Sequence, residues 1–85
     1  MYNKGDYVIL NDSDLWINNY AIIVSFIEGM YHVRVFFPNF KNFKDYIEFD
    51  GNYYILVYSD NILRIMDNND KKNLKVLLEA KKFNI

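Results

Sequence analysis

The chain contains no cysteine, no threonine and no glutamine, one histidine, one proline and three glycines. The absence of cysteine excludes disulfides, thiolate metal sites and cysteine nucleophiles together, and it fits a reducing, cytoplasmic setting. His32 is the lone imidazole, and Ser13, Ser25 and Ser59 are the only hydroxyl nucleophiles besides tyrosine. Neither a nucleophile elbow nor a glycine-rich phosphate loop is present, so the chain reads as a non-enzyme and His32 as an ordinary outer-face strand residue. The apolar run Tyr20 to Val24 is far too short to span a membrane. The opening Met1 to Asp6 is too polar for a signal peptide, and no membrane partner is expected. Asp12-x-Asp14 and Asp67-x-x-Asp70 lack the spacing, glycine and terminal glutamate of a calcium loop. Aspartates in turns commonly satisfy their own backbone, so neither a metal nor any other cofactor is expected.

What the chain has in quantity is rings and charge. Its 85 residues make one domain, and aromatic residues supply 19% of them. A domain this small buries only roughly 60–65% of its unfolded surface, and large rings, each burying about 150–250 Å², compensate for that. The net charge is −1, but it is unevenly spread. Residues 1–70 carry ten acids and five bases, whereas 71–85 carry five lysines against Glu79 alone. The body is acidic and the tail basic. The favoured residues Asn, Ile, Lys, Tyr and Phe have AT-rich codons, which suggests an AT-rich bacterium or a phage infecting one.

Patterning predicts short strands. Tyr7 to Leu10 is a β-branched and aromatic run after the turn Lys4-Gly5-Asp6, followed by a polar loop over 11–19 that Leu15-Trp16-Ile17 interrupts. Tyr20 to Ile27 is apolar on both faces, with Tyr20, Ile22, Val24 and Phe26 on one and Ala21, Ile23 and Ile27 on the other. Such a strand is central or covered by another element. Glu28-Gly29 predicts a tight hairpin turn into Met30–Phe37, where Tyr31, Val33, Val35 and Phe37 oppose His32 and Arg34. Tyr46–Phe49, the turn Asp50-Gly51-Asn52 and Tyr53–Tyr58 predict a second hairpin, and a short helical turn through Ile62–Met66 leads into a last strand. Asp67 to Asp70 offers several caps for a helix in which Leu74, Leu77 and Leu78 recur at helical spacing. A helix of about a dozen residues is marginal alone, so its leucines are expected to dock on a partner or, by preference, on the rest of the chain.

The opening Lys4-Gly5-Asp6-Tyr7-Val8 resembles the start of Tudor-type and KOW-type small barrels, and Tyr58 to Ile65 resembles the helical turn before their last strand. The resemblance is to the SH3-like class and covers about residues 4–66. It implies a mostly-β fold: a five-stranded SH3-like barrel over 1–66, or a strongly bent antiparallel sheet, with a C-terminal α-helix over 67–85 packed on it. It also implies binding on aromatics of the first long loop and its neighbour. Here these are Trp16 and Tyr20 on one side and Phe40 and Phe43 on the other.

Three classes of function compete. Protein binding leads, because Trp16, Tyr20, Phe40, Phe43 and the tyrosines exceed what so small a core can enclose, and exposed rings of this kind concentrate at interface hot spots. A sharper form is a phage- or mobile-element-encoded inhibitor that occludes a host protein, with Asp12, Asp14, Asp45 and Asp50 supplying charge. The apolar second strand also permits self-association. Nucleic-acid binding is the alternative. Asn39-Phe40-Lys41-Asn42-Phe43-Lys44 interleaves rings with bases, and Lys71, Lys72 and Lys75 add a basic helix. Against it, the body is acidic and arginine, the better reader of phosphate and base edges, occurs only twice.

Overall fold

Short β-branched and aromatic runs bounded by Gly, Asn and Asp form strands, because branched and ring side chains fit a pleated, half-buried surface. The computed structural model describes residues 2–11, 16–38 and 47–83, with side-chain detail for all of these except 16–19, 37, 38 and 81–83. The strands are β1 (Tyr7–Leu10), β2 (Trp16–Ile27), β3 (Met30–Pro38), β4 (Ile47–Phe49), β5 (Asn52–Val57) and β6 (Ile62–Ile65). A 3₁₀ turn over Ser59–Asn61 precedes β6, and helix α1 (Asn68–Phe83) follows it. All pairings are antiparallel, in the order β4-β5-β3-β2-β1-β6.

The fold is mostly β, a bent sheet with a C-terminal helix. The described residues form six strands, not five, with β4 and β6 as edges, so among them the sheet does not close into a barrel. Its curvature is visible in the core. Val8 and Leu10 of β1 and Ile62 of β6 share one buried cluster with Ile55 and Val57 of β5. Two strands stand between β1 and β5 in the sheet order, so these side chains meet only where the sheet curls on itself. This inner face is filled by Val8, Leu10 and Val33, all fully buried, with Tyr31 and Val35 beside them. Burying one such aliphatic side chain contributes about 1.5–3 kcal/mol.

Both hairpins turn on two residues. Glu28 and Gly29 have φ of 51° and 81°, and Asp50 and Gly51 have 53° and 78°. Positive φ at both central positions is the type I′ turn, whose twist matches that of the flanking strands. Glycine takes this conformation without a Cβ penalty. The second turn is therefore Asp50-Gly51 alone, and Asn52 already belongs to β5. The amino-terminal turn is held by Asn3 N–H donating to the Asp6 carboxylate (2.8 Å), and Gly5 N–H donates to the Ile23 carbonyl (2.8 Å).

Strand β2 departs from its expected form at both ends. It begins at Trp16, so residues 16–19 extend the strand where a polar loop was expected, pairing irregularly with the end of β3. Between Ile23 and Ser25 the register with β3 shifts. Simple alternation puts Phe26 on the face of Tyr20 and Ile22. The extra residue of the bulge reverses this. Phe26 pairs with Tyr31, and the two rings lie 4.7 Å apart on the inner side.

The outer face holds a smaller cluster of Ile9, Phe36, Met66 and Leu74, with Tyr20 and Ile22 packed on it. Helix α1 thus covers one end of the outer face through Leu74. That explains why β2 is apolar on both sides. The helical turn expected over Ile62–Met66 lies three residues earlier, at Ser59–Asn61. Tyr58 N–H donates there to Asn61 Oδ1 (2.9 Å), and Asn11 N–H reaches the Asn61 carbonyl (2.8 Å).

Candidate docking groove

Residues 71, 74, 75, 78 and 79 follow helical spacing and lie along one side of α1. That side faces the outer surface of β1 and β3. Tyr7, Phe36, Leu74 and Leu78 line a groove there of about 470 Å³, and Lys71, Lys75 and Glu79 complete it. Phe36 and Leu74 are buried and form the floor. Tyr7 and Leu78, 36% and 37% exposed, form the walls, and the three charged side chains stand on the rim.

The sheet wall is stiffened by ring contacts. Tyr7 and Phe36 stack with centroids 6.2 Å apart and planes within 3°. The Arg34 guanidinium carbon sits 5.0 Å from the Phe36 centroid, a cation–π distance. Cross-strand register continues the wall as Tyr7, Ile22, Arg34, Tyr54 and Ile47, all on one face of the sheet. Ile47, Phe49 and Leu56 at its far end are more than half exposed.

The helix that forms the other wall is anchored at its start. Asp67 caps it by accepting from Asp70 N–H (2.8 Å), while Asp70 accepts from Asp67 N–H (3.0 Å), a reciprocal capping box. Arg64 on β6 grips the Asp70 carboxylate with both guanidinium nitrogens, Nη2 donating to Oδ1 at 3.2 Å and Nη1 to Oδ2. The hydrogen bond from Arg64, followed by that from the Asp67 backbone, holds the Asp70 carboxyl down at about 2, and the same bond raises Arg64. This tie joins the last strand to the helix. The Asp-x-x-Asp spacing signalled the cap, whereas the arginine partner comes from the fold.

Most of the site residues expected from sequence fall elsewhere. Asp12, Asp14, Phe40, Lys41, Phe43, Lys44 and Asp45 lie outside the described residues. Trp16 opens β2 opposite Pro38, and its side chain is likewise outside the description. Tyr20 is half-buried in the packing beneath α1, so its ring serves the helix–sheet contact. Asp50 is exposed at the β4–β5 turn, on the edge hairpin. Lys71 and Lys75 stand together on the groove rim, and Lys72 projects from another side of the helix. Sequence reading did not single out Tyr7 and Phe36, and it took Leu78 only as part of the helix's docking stripe. The available signal was an apolar outer-face position in β1 and β3 beside a helix with one more leucine than its buried face needs.

His32 is less ordinary than expected. It is half-buried, its Nδ1 is 3.5 Å from the Ser25 hydroxyl, its ring lies 5.4 Å from that of Tyr54, and its buried Nε2 has no hydrogen-bond partner among the described residues. Among the described residues no three His, Cys, Asp or Glu side chains gather as a metal site. Among the same residues no helix is long and apolar enough to cross a membrane. No family model, curated protein or solved structure matches the chain.

Proposed function

We propose that the chain is a non-catalytic protein-binding module that docks its partner in the groove between α1 and the outer face of the sheet. The observation that carries this reading is an apolar floor of Phe36 and Leu74 left open between the partly exposed Tyr7 and Leu78. Concave apolar surfaces with a few convergent polar groups are the usual seats of ligands, and rings at the centre of such a patch carry most interface energy. The activity that fits is occlusion of the partner's own working surface, as in the inhibitor expected from composition.

The test uses Leu78→Lys, which adds charge at a partly exposed wall and leaves Leu74 in place. Wild-type chain immobilised on resin is expected to retain a partner from a bacterial lysate, and Leu78→Lys to lose it with an unchanged circular dichroism spectrum. Retention by the variant equal to wild type places docking elsewhere.

The nucleic-acid alternative has one observation in its favour: Lys71, Lys72 and Lys75 are all exposed in the first turns of α1. Binding through them weakens steeply as salt rises. Absence of oligonucleotide binding at low salt ends it.

A further inference from the structure

Resting on the docking reading above, we infer that the groove takes an amphipathic polypeptide segment whose flank is acidic at the end nearest Lys71 and Lys75. The argument is charge complementarity around an apolar floor. Lys71 and Lys75 are one helical turn apart and therefore neighbours on the rim. Among the described residues neither makes an ion pair, and the only carboxylate–base pairs there are those of Arg64. Across the groove, Arg34 sits over Phe36, adding a third positive charge on the sheet wall. A chain that is acidic overall through residue 70 thus presents a locally basic groove. The one acid on the rim, Glu79, stands a further turn along the helix. The rim is positive at its amino-terminal end and negative at the other, which gives a bound segment a direction: acidic residues beside Lys71 and Lys75, a base beside Glu79.

The floor argues against a nucleobase as occupant. Base stacking needs an open ring face, and the Phe36 ring is already engaged by Tyr7 and Arg34. A phosphate chain following the two lysines along the rim also meets the Glu79 carboxylate. Leucine-like side chains fit a floor of Phe36 and Leu74, and carboxylates fit a rim of unpaired lysines.

The experiment titrates ¹⁵N-labelled full-length chain with two synthetic helical peptides. They share the same leucine face, and one carries glutamates on its flanks where the other carries lysines. The acidic peptide is expected to shift amides of Tyr7, Phe36, Leu74 and Leu78. In fluorescence anisotropy, Lys71→Glu with Lys75→Glu weakens it about tenfold or more, and Glu79→Lys tightens it. The double variant also comes to prefer the lysine peptide. All three positions are exposed, and the glutamate at 71 falls near the helix start, where acids are favoured, so the variants are expected to keep the fold, with circular dichroism as the check. Equal or tighter groove binding by the lysine peptide overturns the acidic preference and leaves the docking reading standing. If neither peptide shifts groove amides, and Leu78→Lys still captures the wild-type partner, both fall. Groove shifts produced by a single-stranded oligonucleotide, with binding that collapses as salt rises, overturn the inference in favour of nucleic acid.

Discussion

Two residues carry conformational or ionic stress that substitution can expose. Glu28 holds φ of 51° at the first central position of the β2–β3 turn, a region where a side chain with Cβ is disfavoured by about 1–2 kcal/mol. Asparagine tolerates it better, and Asn-Gly is the preferred type I′ pair. Glu28→Asn is therefore expected to stabilise the chain by about 0.5 kcal/mol, read as a higher urea midpoint. Asp70 is the second case. Its carboxyl is held at about 2 by Arg64 and the Asp67 backbone, below the ordinary 3.8. A depressed carboxyl favours the folded state at any pH above its unfolded value. That contribution fades as pH falls from about 4 towards 2, where the folded carboxyl also takes its proton. Asp70→Asn is expected to lower the melting temperature at neutral pH and to flatten the melting-temperature profile between pH 4 and 2. An unchanged acid limb means that the pair with Arg64 contributes nothing to folding.

At the scale of elements, the described residues hold α1 through Leu74, its cap and the Arg64–Asp70 tie. Leu74 is 4% exposed and joins Ile9, Phe36 and Met66, whereas Leu77 is half-buried and Leu78 borders the groove. Leu74→Ala is expected to cost about 2–4 kcal/mol and to release the helix from the sheet. Hydrogen exchange checks this, since α1 amides should then exchange well ahead of those in β1–β3. Asp67→Ala removes the cap and is expected to cost about 1 kcal/mol, with fraying confined to the first turn. Strand β2 illustrates what local pattern conveys about an element. Its apolar stretch was legible as a covered, central strand, and it pairs on both sides and packs on both faces. The bulge after Ile23 was not legible. Nothing in Val24-Ser25-Phe26 marks where pairing slips, because the slip is settled by the partner strand and the curl of the sheet.

The whole molecule rests on the inner cluster that the curled sheet encloses. Leu10 is fully buried there, between strands that lie far apart in the sheet order. Leu10→Ala is expected to remove about 3 kcal/mol, a large fraction of what a domain this small possesses. Urea unfolding monitored by fluorescence should show a lower midpoint with the slope kept, the mark of one cooperative unit. The open sheet has a further consequence. Exposed Ile47 and Phe49 on the β4 edge, together with Leu56 of β5, leave apolar surface at the far end of the outer face that α1 does not reach.

Local chemistry alone determined most of the elements: the two turns at Glu28-Gly29 and Asp50-Gly51, the alternation of Tyr31, Val33 and Val35, and the cap at Asp67–Asp70. These follow from backbone preferences and spacings a few residues long. Lys71 and Lys75 were legible as charge, but not as the rim of a groove. Only tertiary structure decided that Phe26 joins the face of Tyr31, that Arg64 finds Asp70, and that the sheet stays open. It likewise brought Tyr7, Phe36 and Leu78 together around one floor. Each of these depends on strand register and sheet curvature, which arise from contacts between segments distant in the chain and leave no periodic trace in any one of them.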